Sequence, residues 1–242
     1  MRLSILAKII DMLFPRFCPV CGKRLQGEEE FICMSCNLHL PRTDTWEAPY
    51  ENEMAKMFWH QIPVERCCAL FYYHSHSAPS NILYQLKYNH HADIAFGMGR
   101  LLAQEGIRTG FFDGIDGIIP IPLAPNRKKQ RGYNQSEEIA KGIAALTHLP
   151  IYTDIVRRTK FSESQTHKNR WGRQENVANV FERCPSHKET DTTKHYLIID
   201  DVCTTGATII ACCQAIMERN QEVSNFSSNL KFSILTIGWA KN

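Results

Sequence analysis

The sequence predicts an α/β fold with a mostly parallel sheet, helices on both of its faces, and a small metal-binding segment in front. Three observations carry that reading. Apolar runs of strand length alternate with segments whose apolar residues recur at helical spacing, an order that produces parallel sheets covered on both sides. Two Cys-x-x-Cys pairs, Cys18/Cys21 and Cys33/Cys36, are separated by eleven residues near the N-terminus. Late in the chain, an apolar strand segment runs into two carboxylates and then a hydroxyl-rich turn: Asp200-Asp201-Val202-Cys203-Thr204-Thr205-Gly206-Ala207-Thr208.

Size and composition agree. With 242 residues, 43% apolar and 22% charged, the chain has room for one domain and a smaller appendage. A mean hydropathy of −0.31, without repeats or low-complexity tracts, argues against long disorder or a fibrous protein. No run approaches the roughly 18 uncharged apolar residues of a spanning helix; the longest, 232–240, is of strand length, so no membrane span is expected. Ten cysteines without a secretion signal point to a reducing, cytoplasmic compartment.

Taken in order, Leu3, Leu6, Ile9, Ile10 and Leu13 stand at helical spacing and Pro15 closes the run. This predicts an amphipathic helix packed on its own protein, because Lys8 and Asp11 interrupt the apolar core that a signal peptide needs. Each Cys-x-x-Cys then lets two thiolates converge on one ion, with Gly22 permitting the tight turn after the first pair. Four thiolates complete a tetrahedral Zn²⁺ shell with no open position, so Cys18, Cys21, Cys33 and Cys36 are expected to hold a structural zinc. Two disulfides would contradict the compartment, and a redox motif would need only one pair. Cys67, Cys68, Cys184, Cys203, Cys212 and Cys213 lack ligand spacing and read as buried small hydrophobes. His39 is a spare ligand that four cysteines make unnecessary.

A polar connection over 41–49 leads to a strand at 67–73, helices at 81–88 and 93–103, and a short strand within 114–122 that ends in prolines, which a central strand does not tolerate. A helix over 136–146, strands at 151–157 and 196–199, a helix over 205–216 and a strand at 232–237 complete the alternation. The expected division is a helix and zinc-binding unit over 1–48 and an α/β domain over 49–242.

The chemistry concentrates after the 196–199 strand. Backbone N–H groups at the start of the following helix, with the threonine hydroxyls, suit a phosphate that Gly206 lets approach closely. Asp200 and Asp201 suit vicinal hydroxyls, so a sugar phosphate fits both. An ordinary strand-to-helix turn with a threonine cap accounts for one threonine, not for two acids before Thr-Thr-Gly-x-Thr. The net charge of +3 is small, yet between Arg127 and Arg173 eleven Lys or Arg face four acids, an excess of seven. Such a cluster points to a polyanion.

The apolar strand, paired acids and T-T-G-x-T loop resemble the phosphoribosyl pyrophosphate signature of type I phosphoribosyltransferases. Together with the four cysteines, the chain resembles the ComF family over nearly its whole length. Further matching stretches are Leu86-Lys87-Tyr88, Pro120 through Leu123 to Arg127, Arg131 to Gln135, and Arg158-Thr159 through Gln165-Thr166 to Arg173, Asn176 and Val177. The resemblance implies a type I phosphoribosyltransferase-like sheet preceded by a zinc ribbon, with Mg²⁺ accompanying the donor. It implies that Asp200 and Asp201 hold the ribose hydroxyls. Thr204, Thr205, Gly206, Ala207 and Thr208 would hold the 5′-phosphate. The loop from Pro122 through Leu123 and Arg127 to Arg131 would hold the pyrophosphate, with Gly132 and Asn134 beside it. Lys87, Arg127, Arg131, Gln165 and Arg173 are the expected catalytic residues, the last two on a lid over 159–176 that also carries Arg170. Cys203, where an apolar or aromatic residue is commoner, would add redox sensitivity.

The expected function is phosphoribosyl transfer from phosphoribosyl pyrophosphate to an acceptor for which the sequence has no readable code. The family's competence role supports a setting in DNA uptake. It also frames two alternatives: a non-enzymatic single-stranded DNA-binding factor, with Trp46, Trp59, Tyr72 and Tyr73 as stacking residues, and a sensor that binds the donor without turnover. DNA binding alone does not require Asp200-Asp201. Oligomeric state and protein partners are not encoded in these motifs.

Overall fold

The computed structural model describes residues 13–88, 91–159, 180–184, 194–217 and 230–241. Two short helices, α1 (Met34–Leu38) and α2 (Glu53–Lys56), precede strand β1 (Val64–Tyr72). Then follow α3 (Ser80–Tyr88), α4 (Ala92–Arg108), β2 (Gly117–Pro120), α5 (Pro125–Arg131) and α6 (Gln135–Thr147). The remainder comprises β3 (Val156–Arg158), β4 (Phe181–Arg183), β5 (His195–Cys203), α7 (Ala207–Met217) and β6 (Lys231–Trp239). The helix expected at the N-terminus falls outside the described residues except for its last position.

Four strands form one sheet in the order β1-β6-β5-β2, and every pairing in it is parallel. The residues of β5 explain why the apolar runs are continuous. Side chains alternate across a strand, and here Leu197 and Ile199 enter one core while Tyr196 and Ile198 enter another. The first core is completed by α3, α4, α6 and the cysteine-bearing segment; the second by α2, α7 and residues of β3 and β4. Between His195 and Asp200 the buried stretch of β5 is apolar on both faces, and its carboxylates begin only in its last, less buried part.

Two elements depart from the sequence expectation. The segment read as a strand over 151–157 makes one parallel bridge, Ile151 to Ile118, then bends away at 153–155. Its end becomes β3, which pairs antiparallel with β4 in a separate two-stranded sheet. The basic stretch after β2 is a helix, α5, with Pro125 in its first turn, where the missing N–H costs nothing. Gly132 closes it in the left-handed conformation, its N–H bonded to the Lys128 carbonyl at 2.8 Å.

The cysteine segment shares the first core: Cys18, Leu25, Ile32 and Cys33 pack in the same cluster as Leu86, Ile94 and Met98. Gln85 Nε2 donates to the Pro19 carbonyl at 2.8 Å, and Arg100 pairs with Glu30 at 3.3 Å. The connection that follows lies along β1, where Tyr72 N donates to the Pro41 carbonyl at 2.8 Å and Thr43 Oγ1 to that of Ala69.

Helices α4 and α6 meet backbone to backbone. A Cβ at Gly99 would overlap the Ile139 carbonyl oxygen, and one at Gly142 the Phe96 carbonyl oxygen. Overpacking of this kind costs about 1–3 kcal/mol, and main-chain neighbours leave no flexible atom to yield. Gly142→Ala should therefore lower the unfolding free energy by about 2–3 kcal/mol, read from the urea midpoint; an unshifted midpoint would contradict the close crossing.

Candidate functional site

The four cysteines form a compact cluster with all four Sγ atoms within 4.8 Å of one another. Their backbone explains the convergence. Phe17 and Arg24 pair as an antiparallel bridge, Gly22 turns at φ +70°, and Gly22 N donates to the Cys18 carbonyl at 2.8 Å. Cys33 caps α1, where its Sγ accepts from Cys36 N at 3.4 Å, and Cys33 N points to Cys18 Sγ at 3.5 Å. Sulfurs bound tetrahedrally at about 2.3 Å from zinc stand about 3.8 Å apart, and Cys21 Sγ to Cys33 Sγ is 3.7 Å. The donor set fits Zn²⁺. A hydrogen bond from the Lys23 backbone lowers Cys21 to about 7, while burial and the neighbouring sulfurs push Cys36 up. A divalent cation at the centre is what allows all four to ionise together. His39 is turned onto its own chain, with Nδ1 2.6 Å from the Ser35 carbonyl oxygen.

The second site opens at the carboxyl ends of β2 and β5, where ligands of parallel sheets bind. It is a cleft of about 570 Å³ lined by Asp200, Asp201, Thr204 and Thr208 after β5 and by Pro122, Leu123, Arg127 and Arg131 after β2. Lys87, Tyr88 and Arg158 also line it. Asp200 Oδ1 accepts from Asp201 N at 2.9 Å and from Ser136 Oγ at 3.3 Å. Lys87 Nζ stands 3.3 Å from Asp201 Oδ2. Burial, reinforced by the charge of Asp201, pushes Asp200 up to about 7. Arg158 is lowered first by burial and then by the neighbouring positive charge of Arg127, against the pull of Asp200. Two guanidiniums that disfavour each other beside a carboxylate pair make a site electrostatically ready for an anion with hydroxyl groups.

Local structure sets these positions. Gly206 turns at φ +73°, and a Cβ there would stand 2.8 Å from the Phe58 ring; α7 starts at the next residue, presenting the N–H groups of its first turn. Asn134 caps α6: its Oδ1 accepts from Ser136 N at 3.2 Å and its Nδ2 donates to the Ile121 carbonyl at 3.0 Å. Tyr133 Oη and Gln135 Nε2 both donate to the Leu86 carbonyl, at 2.7 and 2.9 Å. Burial pushes Tyr133 up to about 12, which keeps it a donor. The Arg131–Gln135 stretch thus joins the end of β2 to the end of α3.

The expected residues fall into three groups. Lys87, Arg127, Arg131, Asp200, Asp201, Thr204, Thr208, Pro122, Leu123 and Asn134 converge on the cleft. Asn134 is there as a buried cap, with its side chain already engaged. Thr205, Gly206, Ala207 and Gly132 shape the adjoining turns without lining the cavity; Thr205 Oγ1 accepts from Ala207 N at 3.5 Å. Gln165, Arg170 and Arg173, with the lid from 160 onward, lie outside the described residues. Cys203 is 1% exposed and pushed up to about 12 by burial, so the expected redox sensitivity is corrected: this thiol is shielded and protonated. Gln130, Ser136 and Arg158 line the cleft without having been assigned a role; Arg158 lay in a matching stretch, but only the antiparallel β3–β4 pair brings it here.

Of the aromatic residues, Trp46 packs edge-on against Phe111 at 5.5 Å. Tyr72 lies 5.7 Å from Trp239, with its hydroxyl on Asp44 at 2.7 Å. Among the described residues, no helix is long and apolar enough to cross a membrane.

No family model matches the sequence. Individual relatives do. DNA utilization protein YhgH of Escherichia coli (strain K12) is 26% identical over 209 residues, covering 83% of each chain. Competence protein F of Haemophilus influenzae is 30% identical over 200 residues, covering 81% of this chain and 76% of its own. The chain belongs to the ComF family. Competence protein ComFC of Bacillus subtilis matches this ComF chain at 26% over 115 residues, 47% of this chain and 43% of that protein. Among solved structures, adenine phosphoribosyltransferase from Leishmania tarentolae overlays on 76% of this chain and 88% of its own at 10% identity. Its TM-score is 0.30.

Two outcomes follow for this ComF protein. Cys33→Ser should lower bound zinc, counted by mass spectrometry of the native protein, and reduce solubility; unchanged metal stoichiometry would contradict the four-sulfur site. Asp200 titrates near 7 when folded against an ordinary value of 3.8, so between those values the folded state holds the extra proton and its stability falls as pH rises. Asp200→Asn removes that slope. Its unfolding free energy relative to wild type should rise between pH 5 and pH 8, and a constant difference would refute the elevated carboxyl.

Proposed function

We propose that the cleft binds phosphoribosyl pyrophosphate with Mg²⁺ and transfers the phosphoribosyl group to an acceptor. The observation that carries this reading is the facing of Asp200 and Asp201 with Arg127 and Arg131 across one cavity at the ends of adjacent parallel strands. In this reading the two carboxylates accept the ribose hydroxyls, and Lys87 gives up its contact with Asp201 as they arrive. Thr204, Thr208 and the first turn of α7 take the 5′-phosphate. Pro122 and Leu123 bring the main chain to the pyrophosphate, while Arg127, Arg131 and Arg158 meet its charge.

The bond from C1 to the pyrophosphate oxygen breaks, its electron pair leaves with pyrophosphate, and the acceptor nucleophile bonds to C1. The protein's part is to hold fixed positive charge where the leaving group becomes more negative. Asp200 and Asp201 are the carboxylates among the described residues lining the cleft, and one or two carboxylates plus substrate phosphates is the donor set that Mg²⁺ favours. When bound, that ion neutralises charge on the leaving pyrophosphate.

We assign zinc a structural role in the unit over 1–48 and the transfer chemistry to 49–242. The names of the relatives, competence and DNA utilization, support a setting in the handling of incoming DNA; the cysteine-rich composition supports a reducing, cytoplasmic compartment.

The test is calorimetric titration of zinc-loaded protein with phosphoribosyl pyrophosphate and Mg²⁺. Wild type should bind, and Asp200→Asn/Asp201→Asn should weaken binding by about 10- to 100-fold, as expected for losing charge-assisted hydrogen bonds, while keeping its circular dichroism spectrum. Undiminished affinity in a folded double variant would reject the hydroxyl contacts. No binding by folded wild type would reject the transferase reading in favour of the single-stranded DNA-binding one.

A further inference from the structure

Two adjoining cavities, of about 670 and 530 Å³, share Glu30, Phe31 and Arg100 and make one groove between the cysteine-bearing segment and α4. Phe31 forms its saddle. The ring lies over Gly97, where any Cβ would overlap it, and Arg100 Cζ stands 5.8 Å from its centroid. The walls on either side are apolar at Phe17, Leu25, Met34, Ile94 and Leu101, with Glu28 and Glu29 at one end. Among the described residues, ten large apolar side chains are exposed, and five of them, Leu13, Phe14, Phe17, Met34 and Leu38, belong to this small unit. Such a concentration marks a surface that another element covers.

We propose that residues 3–13 occupy this groove as an amphipathic helix antiparallel to α4, clasping the cysteine-bearing unit to the α/β domain. Residues 1–12 lie outside the described residues, and three observations select them over a foreign partner. The described chain starts at Leu13, and Pro15, Arg16 and Phe17 already line the groove, so the preceding segment is delivered to its entrance. A tethered occupant competes at an effective concentration of about millimolar. Length agrees as well. The residues of α4 that line the groove run from Asp93 to Gln104, about 16 Å of helix, and Leu3 to Leu13 would span about 15 Å. The pattern of the segment is the third. Leu3, Leu6, Ile9, Ile10 and Leu13 recur on one helical face, and Arg2 falls on the same side. Entry at Leu13, beside Asp93 and Ile94, carries Arg2 to the far end, where Glu28 and Glu29 stand. A helix this short is marginal alone in water, and the groove supplies the apolar partner it lacks. Gln85 of α3 also lines the groove, so the clasp bears on the helix that carries Lys87 to the cleft. The inference does not depend on what the cleft binds.

The test places the photo-crosslinker p-benzoylphenylalanine at position 6 of full-length, zinc-loaded protein, mixed with an equal amount of ¹⁵N-labelled copies. Irradiation should join position 6, within one chain, to the peptide holding Phe31 and Met34 or to that holding Leu101. Hydrogen exchange read by mass spectrometry should show the amides of 4–12 protected in wild type. Protection should fall about tenfold in Leu6→Asp and in Met34→Lys, the equivalent of losing one buried apolar side chain. Met34 is 62% exposed and Leu6 precedes both cysteine pairs, so each variant should keep its zinc, counted by native mass spectrometry. Cross-links between labelled and unlabelled chains would assign the groove to a second copy and overturn the proposal. Cross-links to other surfaces, unprotected amides over 4–12 in wild type, or protection indifferent to Met34→Lys would overturn it too. So would flotation of wild type, but not of Leu6→Asp, with phosphatidylglycerol vesicles when no cross-link forms within the chain, which would give the apolar face to a lipid surface.

Discussion

The burial of β5 on both faces governs the arrangement of everything else. From His195 to Ile199 the strand passes between two helical layers and each side chain is buried, so the first carboxylates fall where the strand emerges. Asp200 and Asp201 are consequently set at the floor of the cleft by the length of an apolar run, not by the loop that follows. The same emergence leaves Asp200 poorly hydrated and beside a like charge, which raises its pKa. The raised carboxyl is thus a by-product of sheet packing, one that a bound cation or hydroxyl donor would offset.

The opposite wall is held by hydrogen bonding to one atom. The Leu86 carbonyl belongs to the last turn of α3, where carbonyls lack helical partners, and Tyr133 and Gln135 supply two donors to it. Lys87 and Tyr88 follow directly, so their place in the cleft depends on a contact between α3 and the turn before α6. The zinc-binding segment backs the same helix through Gln85 and Pro19. The four-cysteine cluster and a cleft that it does not line are thus joined through nine residues of α3.

What could be read from the sequence was whatever depends on local order. The apolar run, paired acids and threonine turn of 196–208 are contiguous, and the cysteine pairs announce convergence by spacing alone. The parallel sheet and most helices followed from periodicity. The rest depends on partners distant in the chain. The 151–157 segment is apolar enough for a strand, but nothing within it says that Val156 pairs with Arg183 rather than extending the main sheet. Arg158 reaches the cleft only through that pairing. The basic stretch 125–131 is expected as a loop on the resemblance alone; Pro125 and Gly132, a first-turn proline and a left-handed terminal glycine, are the local signals of its helix. Asn134 showed a polar side chain but not whether it would meet a ligand or cap a helix. For the exposed tyrosines of α3, spacing indicated a helical face and was silent on whether any partner would cover it.

The crossing of α4 and α6 has a mechanical consequence for the cleft. Gly142 and Ser136 lie on the same helix six positions apart, about 9 Å along its axis, and Ser136 holds Asp200. Main chain rests on main chain at the glycine end, so α6 behaves as a lever with a hard fulcrum. Adding a methyl group at the fulcrum would swing the far end and draw the serine hydroxyl off the carboxylate. A position outside the cleft therefore has leverage over one that lines it.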